Sequence, residues 1–474
     1  MQKLAIIFVL FFHSLFLLSQ ENVNQIINFI NSTEGINKGK WSFCLLDSNG
    51  RKITSYNDTA LLTPASIVKV FTTSLALEEL GPKFTFKTYL AINGSINSKG
   101  ILIGDIIIVG GGDPTFASNR FGYTYNSIIE KWAQLIVSKG IKSVEGKIII
   151  DDTLYAKPIS NKYWADDDVG NYYGAAPSAF MFNENSYKVF FKKGLIGKKA
   201  ELKEIIPSFG NVKIVNEVTY SNPNTGDNVI IFSHPLDSIV RLTGTIPANT
   251  DNFDVEGALP DAAATFVELL ENNLRAKGII INRNNILQKN KRIIIDSIVS
   301  PSLEEIILQT NVKSINIYAE AILKMVAYKK RGIASTEMGL SVFYNKMKYQ
   351  SIDTSFIVLY DGNGLSRFNR VDAFEFAKYL NVYIKSKMMD IFYNTLPIAG
   401  ESGGLKNICK EQAYIGRVHA KTGYMTNVRC FAGYIDTENK GRMSFCLMFN
   451  DYKCGSQKIK LLAEELFKTV IDMK

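Results

Sequence analysis

Thr63-Pro64-Ala65-Ser66-Ile67-Val68-Lys69 runs directly into Val70-Phe71-Thr72-Thr73-Ser74-Leu75-Ala76-Leu77-Glu78-Glu79-Leu80-Gly81-Pro82. A proline-containing loop followed by an apolar stretch without breakers and then Gly-Pro predicts a helix from Ser66 to Leu80. On such a helix Ser66 and Lys69 stand three residues apart, so the hydroxyl and the ammonium share one face of the first turn. The first N–H groups of a helix have no partner inside it, so Ser66 also turns a free N–H outward. This S-x-x-K pattern decides nothing alone: roughly three are expected by chance in a chain of this length. A serine in that place is also an ordinary N-cap.

Upstream, Lys40 to Asn57 reads as a β-hairpin around Asp47-Ser48-Asn49-Gly50. Downstream, from about Phe84 to Glu256, the texture changes to short β-like runs with Gly and Asn turns, and helical signal is scarce. Helical periodicity returns over Asp261 to Lys277, Leu303 to Gln309, Ile315 to Tyr328, Ser335 to Gln350 and Val371 to Met388. A second hairpin follows, Arg417 to Thr437 with Arg442 to Phe449, and then an amphipathic helix, Lys458 to Met473. The expectation is an α+β protein in which one domain, 20–84 with 257–474, is split by a β-rich insertion, 85–256. A chain of about 470 residues exceeds the size at which single cores stop growing, which agrees with more than one domain.

Two further short stretches carry chemistry when set beside Ser66 and Lys69. Ser314-Ile315-Asn316 falls in a loop between two predicted helices. A serine there can relay a proton, and an asparagine two residues on can orient Lys69 and hold an amide. Lys421-Thr422-Gly423 lies in the strand that opens the C-terminal hairpin. An edge strand can present the lysine cation and the threonine hydroxyl to a carboxylate while its backbone pairs with an extended peptide, and Gly423 permits close approach. Each stretch taken singly is an ordinary cap or strand fragment. Together, in this order and each on the right kind of element, they form the three-part signature of serine penicillin-recognising enzymes.

The chain resembles the class C penicillin-binding proteins related to penicillin-binding protein 4, peptidase family S13. Beyond the three motifs, Gly110-Gly111-Gly112-Asp113-Pro114-Thr115, Ala175-Ala176-Pro177-Ser178-Ala179, Asp361-Gly362-Asn363-Gly364-Leu365-Ser366-Arg367 and Leu396-Pro397-Ile398-Ala399-Gly400 look like its signature stretches. The long gap between Ser66 and Ser314 is also its habit. The resemblance implies a transpeptidase/β-lactamase-like domain, an antiparallel sheet between helical layers. It implies D,D-peptidase activity on peptidoglycan stem peptides, covalent inhibition by β-lactam antibiotics, and no cofactor or metal. It implies catalytic roles for Ser66, Lys69, Ser314 and Asn316, and substrate contacts from Lys421, Thr422, Gly423 and the backbone N–H of Tyr424. Asp151, Tyr155 and Arg367 resemble positions that reach the substrate's third residue. Where the family often has serine after Lys-Thr-Gly, this chain has Tyr424.

Residues 1–19, Lys3 followed by the apolar run Leu4 to Leu18, read as a secretory signal, and so as export to the periplasm or beyond. The 54 Lys+Arg against 45 Asp+Glu suit attraction to an anionic envelope polymer. They form no basic run with interleaved aromatics, so nucleic acid is not expected as a partner. Association into a homodimer stays open. Past the leader only His234 and His419 remain, which argues against a histidine metal site. Cys44, Cys430 and Cys446 sit in apolar strand-like runs and read as small core residues, with one disulfide among the last four cysteines left open.

Three other readings compete. Gly400-Glu401-Ser402-Gly403-Gly404 fits the G-x-S-x-G elbow of α/β-hydrolases, with Glu411 and His419 as its only downstream partners. A β-lactamase shares the nucleophile but is shorter. A peptidoglycan-binding protein that had lost catalysis would have little reason to keep all of Ser66, Lys69, Ser314, Asn316 and Lys421.

Overall fold

The computed structural model describes residues 21–157, 160–210, 212–286 and 291–473. The leader expected over 1–19 lies outside the described residues. Among those that are described, no helix is long and apolar enough to cross a membrane. The fold is α+β, and the described residues divide into two compact units, one formed by those up to 82, 304–315 and those from 336 onward, the other by those within 83–303 and 316–335.

The first unit is built on a five-stranded antiparallel sheet in the order Val418–Met425, Val428–Asp436, Arg442–Asn450, Trp41–Leu46, Lys52–Tyr56. The two hairpins read from opposite ends of the sequence therefore join edge to edge, with Trp41 opposite Phe449 and Cys44 opposite Cys446. Trp41–Leu46 is buried along its whole length because both faces of the sheet are covered, and all of its residues but Ser42 are apolar. On one face Leu462, Leu466 and Phe467 of the helix Ser456–Ile471 pack against Phe431, Phe445 and Leu447. Phe71 of the helix Lys69–Leu80 instead joins Phe343, Phe376 and Tyr379. Full burial of each such ring stabilises by roughly 2–3 kcal/mol.

Three details differ from the sequence reading. The helix expected from Ser66 begins as a 3-10 turn, Ala65–Val68, and becomes α-helical at Lys69. Ala65, which opens the turn, has φ +49°, outside the right-handed helical region, so regular α-helical winding cannot include it. The stretch Arg417 to Thr437 is two strands, reversed between Met425 and Val428 with Asn427 in the left-handed region. No Gly marks that turn; the asparagine supplies the positive φ. The helix expected over Val371 to Met388 ends at Tyr383, and a short second one, Met389–Thr395, follows.

The second unit is rich in β structure, with sheets of six, four and three strands. It also holds helices Tyr125–Ser138 and Ala262–Ala276. The first of these departs from the scarcity of helix expected between Phe84 and Glu256. Ile128, Ile129, Trp132, Ala133 and Ile136 form its buried face, and Thr124 and Ser127 cap it reciprocally. Phe116, Trp132, Phe180 and Phe266 meet at the centre of this unit's core.

All five cysteines are unbonded, four of them buried, so the disulfide left open above is not formed.

Candidate active site

Ser66 sits in the 3-10 turn immediately before the helix Lys69–Leu80, behind an alanine held at positive φ. Such backbone strain persists only where its surroundings over-determine it. Here Gly364 packs so closely that a side-chain carbon on it would lie 2.0 Å from the Ala65 carbonyl oxygen. Gly364 also has φ +86°, so two independent constraints exclude any other residue.

Lys69 is fully buried. Its Nζ donates to Ser66 Oγ at 2.9 Å and to the main-chain carbonyl of Asn363 at 2.6 Å. That carbonyl is presented by a loop bonded mainly to itself. The two Asp361 carboxylate oxygens accept the N–H groups of Gly364 and Ser366 and the side-chain amide of Asn369, and Asn363 Oδ1 accepts the Leu365 N–H. Thr72, one turn beyond Lys69, donates to the Gly362 carbonyl at 2.6 Å. The stretch Asp361 to Ser366 is thus a scaffold for one carbonyl. Sequence reasoning missed Asn363 because a backbone oxygen has no side-chain signature; the paired glycines Gly362 and Gly364 were the available hint.

Ser314 lies between helices Leu303–Lys313 and Asn316–Arg331, at φ +60°. Lys421, on the edge strand Val418–Met425, donates from Nζ to Ser314 Oγ at 3.0 Å and to the Thr422 carbonyl at 2.8 Å. It is 1% exposed. Burial first, and then the charges of Lys69 and Arg429, hold its ammonium well below the usual lysine range. Gly423 brings the strand against the Ser66 turn: a side-chain carbon there would lie 2.7 Å from the Pro64 carbonyl and 3.2 Å from the Ser66 nitrogen. Thr422 Oγ1 is packed against Gly404, where a side chain would collide at 2.1 Å. The Tyr424 ring is exposed, with the Arg429 guanidinium 5.1 Å from its centroid.

Ser66, Lys69, Ser314, Lys421, Thr422 and Gly423 are therefore gathered in the first unit. Arg367 is an exposed residue of the same unit, and its carbonyl accepts from Arg370. The other three expected residues belong to the second unit. Asn316 opens its helix and donates from Nδ2 to the Tyr173 carbonyl at 2.7 Å. Asp151 is paired with Arg292 and accepts from Thr153. Tyr155 is buried, and its hydroxyl donates to the carbonyls of Gly112 and Ala321.

The alternative nucleophile has no machinery. Ser402 Oγ accepts the Ile398 N–H, His419 is stacked on Tyr393 with ring centroids 3.8 Å apart, and Glu411 pairs with Lys468. Among the described residues no group of His, Cys, Asp and Glu is placed to hold a metal ion.

Comparison with known proteins places the whole chain. Residues 24–466 match the D-Ala-D-Ala carboxypeptidase 3 (S13) family. The chain is 25% identical over 423 residues to a D-alanyl-D-alanine carboxypeptidase of Actinomadura sp. strain R39, covering 85% of this chain and 76% of that one. It is 24% identical over 419 residues to the D-alanyl-D-alanine carboxypeptidase DacB of Haemophilus influenzae, covering 86% and 84%. The fold is similar to the crystal structure of penicillin binding protein 4 from Haemophilus influenzae, with a TM-score of 0.78 at 23% identity over 95% of this chain and 99% of that one.

Proposed function

The chain belongs to the D-Ala-D-Ala carboxypeptidase 3 (S13) family and is a serine-type carboxypeptidase, and from that premise we propose that Ser66 is the nucleophile of an exported D,D-peptidase acting on peptidoglycan stem peptides and their cross-links. One observation carries the reading: two buried lysines each contact a serine hydroxyl, Lys69 at 2.9 Å from Ser66 and Lys421 at 3.0 Å from Ser314.

Neutral Lys69 takes the proton of Ser66 Oγ as it attacks the carbonyl of the penultimate D-alanine. The Asn363 carbonyl holds the lysine amine in line for that transfer. The N–H groups of Ser66 and Tyr424 receive the oxyanion, a contribution of about 3 kcal/mol for one such donor. Ser314 accepts from Lys421, which leaves its own proton free to pass to the leaving amine, and the proton that Lys69 took from Ser66 replaces it. Asn316 holds the substrate amide, and Asp151, Tyr155 and Arg367 contribute to recognition of the third residue. Water then releases the acyl group. A β-lactam reproduces the D-alanyl-D-alanine backbone but keeps its leaving group tethered, so the acyl-enzyme persists.

Lys421 and Thr422 anchor the carboxylate next to the scissile bond. That group is present both on terminal D-alanine and on the D-centre of a cross-link, so one cation serves both reactions. Digesting a pentapeptide muropeptide and a cross-linked dimer, with products identified by mass, tests this. We expect both to be cleaved, and Lys421→Met to lose about 10- to 100-fold in kcat/KM on both while changing little for an amidated analogue. Equal losses on charged and amidated substrates contradict the anchor; no cleavage of either muropeptide contradicts the function.

A further inference from the structure

A cavity of about 170 Å³ lies wholly within the second unit, at the start of the helix Ala262–Ala276. An engineered protein cavity of about 150 Å³ holds benzene, so this one admits a molecule of roughly half a dozen heavy atoms. Ser233 lines it, is 5% exposed, and has no hydrogen-bond partner for its hydroxyl among the described residues. A buried hydroxyl left without a partner is costly, and a ligand that supplies one removes that cost.

The remaining polar lining carries both signs of charge. Lys157 is its cation, and His234 adds an imidazole ring. The N–H groups of Ala262 and Ala263, in the first turn of the helix, find no backbone acceptor among the described residues, and both residues line the cavity. A helix terminus of this kind favours a carboxylate. Asp152 and Asp261 supply the opposite charge. Asp261 Oδ1 already caps the helix through the Ala264 N–H, and the His234 ring lies 3.6 Å from the exposed Asp166. Asp152 and Lys157 form no ion pair with each other or with any described residue. Val169, Ala258 and Leu259 supply apolar lining, and the volume is too small for a long side chain.

We infer that this cavity binds a small zwitterionic α-amino acid, its carboxylate held by the helix start, Ser233 and Lys157, and its ammonium by Asp152. The inference stands on the second unit alone and does not rest on the roles given to Ser66 or Lys421. A free D-amino acid is also what a D,D-carboxypeptidase releases, so the cavity is suited to sense product.

Titration calorimetry on the full chain with D-alanine, L-alanine, glycine, acetate and ethylammonium tests it. Saturable binding of one equivalent of an amino acid is expected, unchanged in Lys421→Met. Acetate and ethylammonium should each bind about tenfold more weakly or worse, because each satisfies one sign of charge only. Lys157→Met and Ser233→Val should each weaken binding by about tenfold or more. If Ser233→Val fails to fold, the exposed Lys157 substitution decides by itself. A preference for D- over L-alanine assigns the reaction product as the ligand, and equal binding assigns the amino-acid class. Absence of saturation at about 50 mM, far weaker than a millimolar site, overturns the proposal. So does binding that vanishes in Lys421→Met and ignores Lys157→Met.

Discussion

Lys421 in the first unit and Asp113 in the second are both almost fully buried, at 1% and 2% exposure, and burial drives both toward the uncharged form. For the lysine that means an ammonium pushed down, for the aspartate a carboxyl pushed up to about 6. The surroundings separate the two cases. Lys421 donates to two oxygens, Ser314 Oγ and the Thr422 carbonyl, in a strand that ends the sheet, and it shares its region with a second buried lysine. Asp113 binds Thr115 through one carboxylate oxygen, and the other has no partner among the described residues. The same desolvation falls in one unit on an amine proposed to meet a substrate carboxylate, whose charge opposes it, and in the other merely stores a pH-dependent cost. Burial alone, even with a hydroxyl alongside as Thr115 is for Asp113, is therefore not evidence of chemistry.

The largest expected effect that sharpens this contrast is on stability. Asp113 unfolded releases its proton near the ordinary carboxyl value of about 4, and folded it does so near 6. Between those values the unfolded state binds fewer protons, so stability falls as pH rises through the window. The contribution is fully present below about pH 4 and lost above about pH 6, on the order of 3 kcal/mol at roughly 1.4 kcal/mol per unit. Unfolding measured from pH 4 to 7 should show this decline in the unmodified chain and not in Asp113→Asn, which retains the acceptor for Thr115. Parallel pH profiles in the two proteins would remove Asp113 from the comparison.

On the other side, Lys69→Ala should leave the thermal midpoint close to that of the unmodified protein yet slow acylation by about 10²-fold or more, the usual scale of a lost general base. Stopped-flow acylation with a chromogenic cephalosporin, beside a melting curve, gives both numbers. Near-normal acylation in a folded variant would mean that another group takes the proton and that the buried lysines are no more than structural.

Much of the first unit was legible because its signals are periodic or spaced. Ser66 and Lys69 lie on one turn whether that turn is α or 3-10, so the tighter winding changed nothing about their meeting. The hairpins at both ends announced themselves, although not that Trp41–Leu46 pairs with Arg442–Asn450, since register across 400 residues depends on tertiary packing. What stayed hidden was carried by backbone. The Asn363 carbonyl on Lys69 and the reversal at Asn427 depend on main-chain geometry that a side-chain pattern does not encode. The helix Tyr125–Ser138 was readable from its apolar spacing but was masked by the β-rich runs on either side. Ser233, a lone serine after a strand, carries no sequence signal at all.

The central claim is that Ser66 is the nucleophile, and intact-protein mass spectrometry after incubation with benzylpenicillin, followed by peptide mapping, tests it most directly. The account predicts one added acyl group per chain, located on the peptide containing Ser66 and absent from Ser66→Ala. Label that persists in Ser66→Ala, or that maps to Ser402, would contradict it.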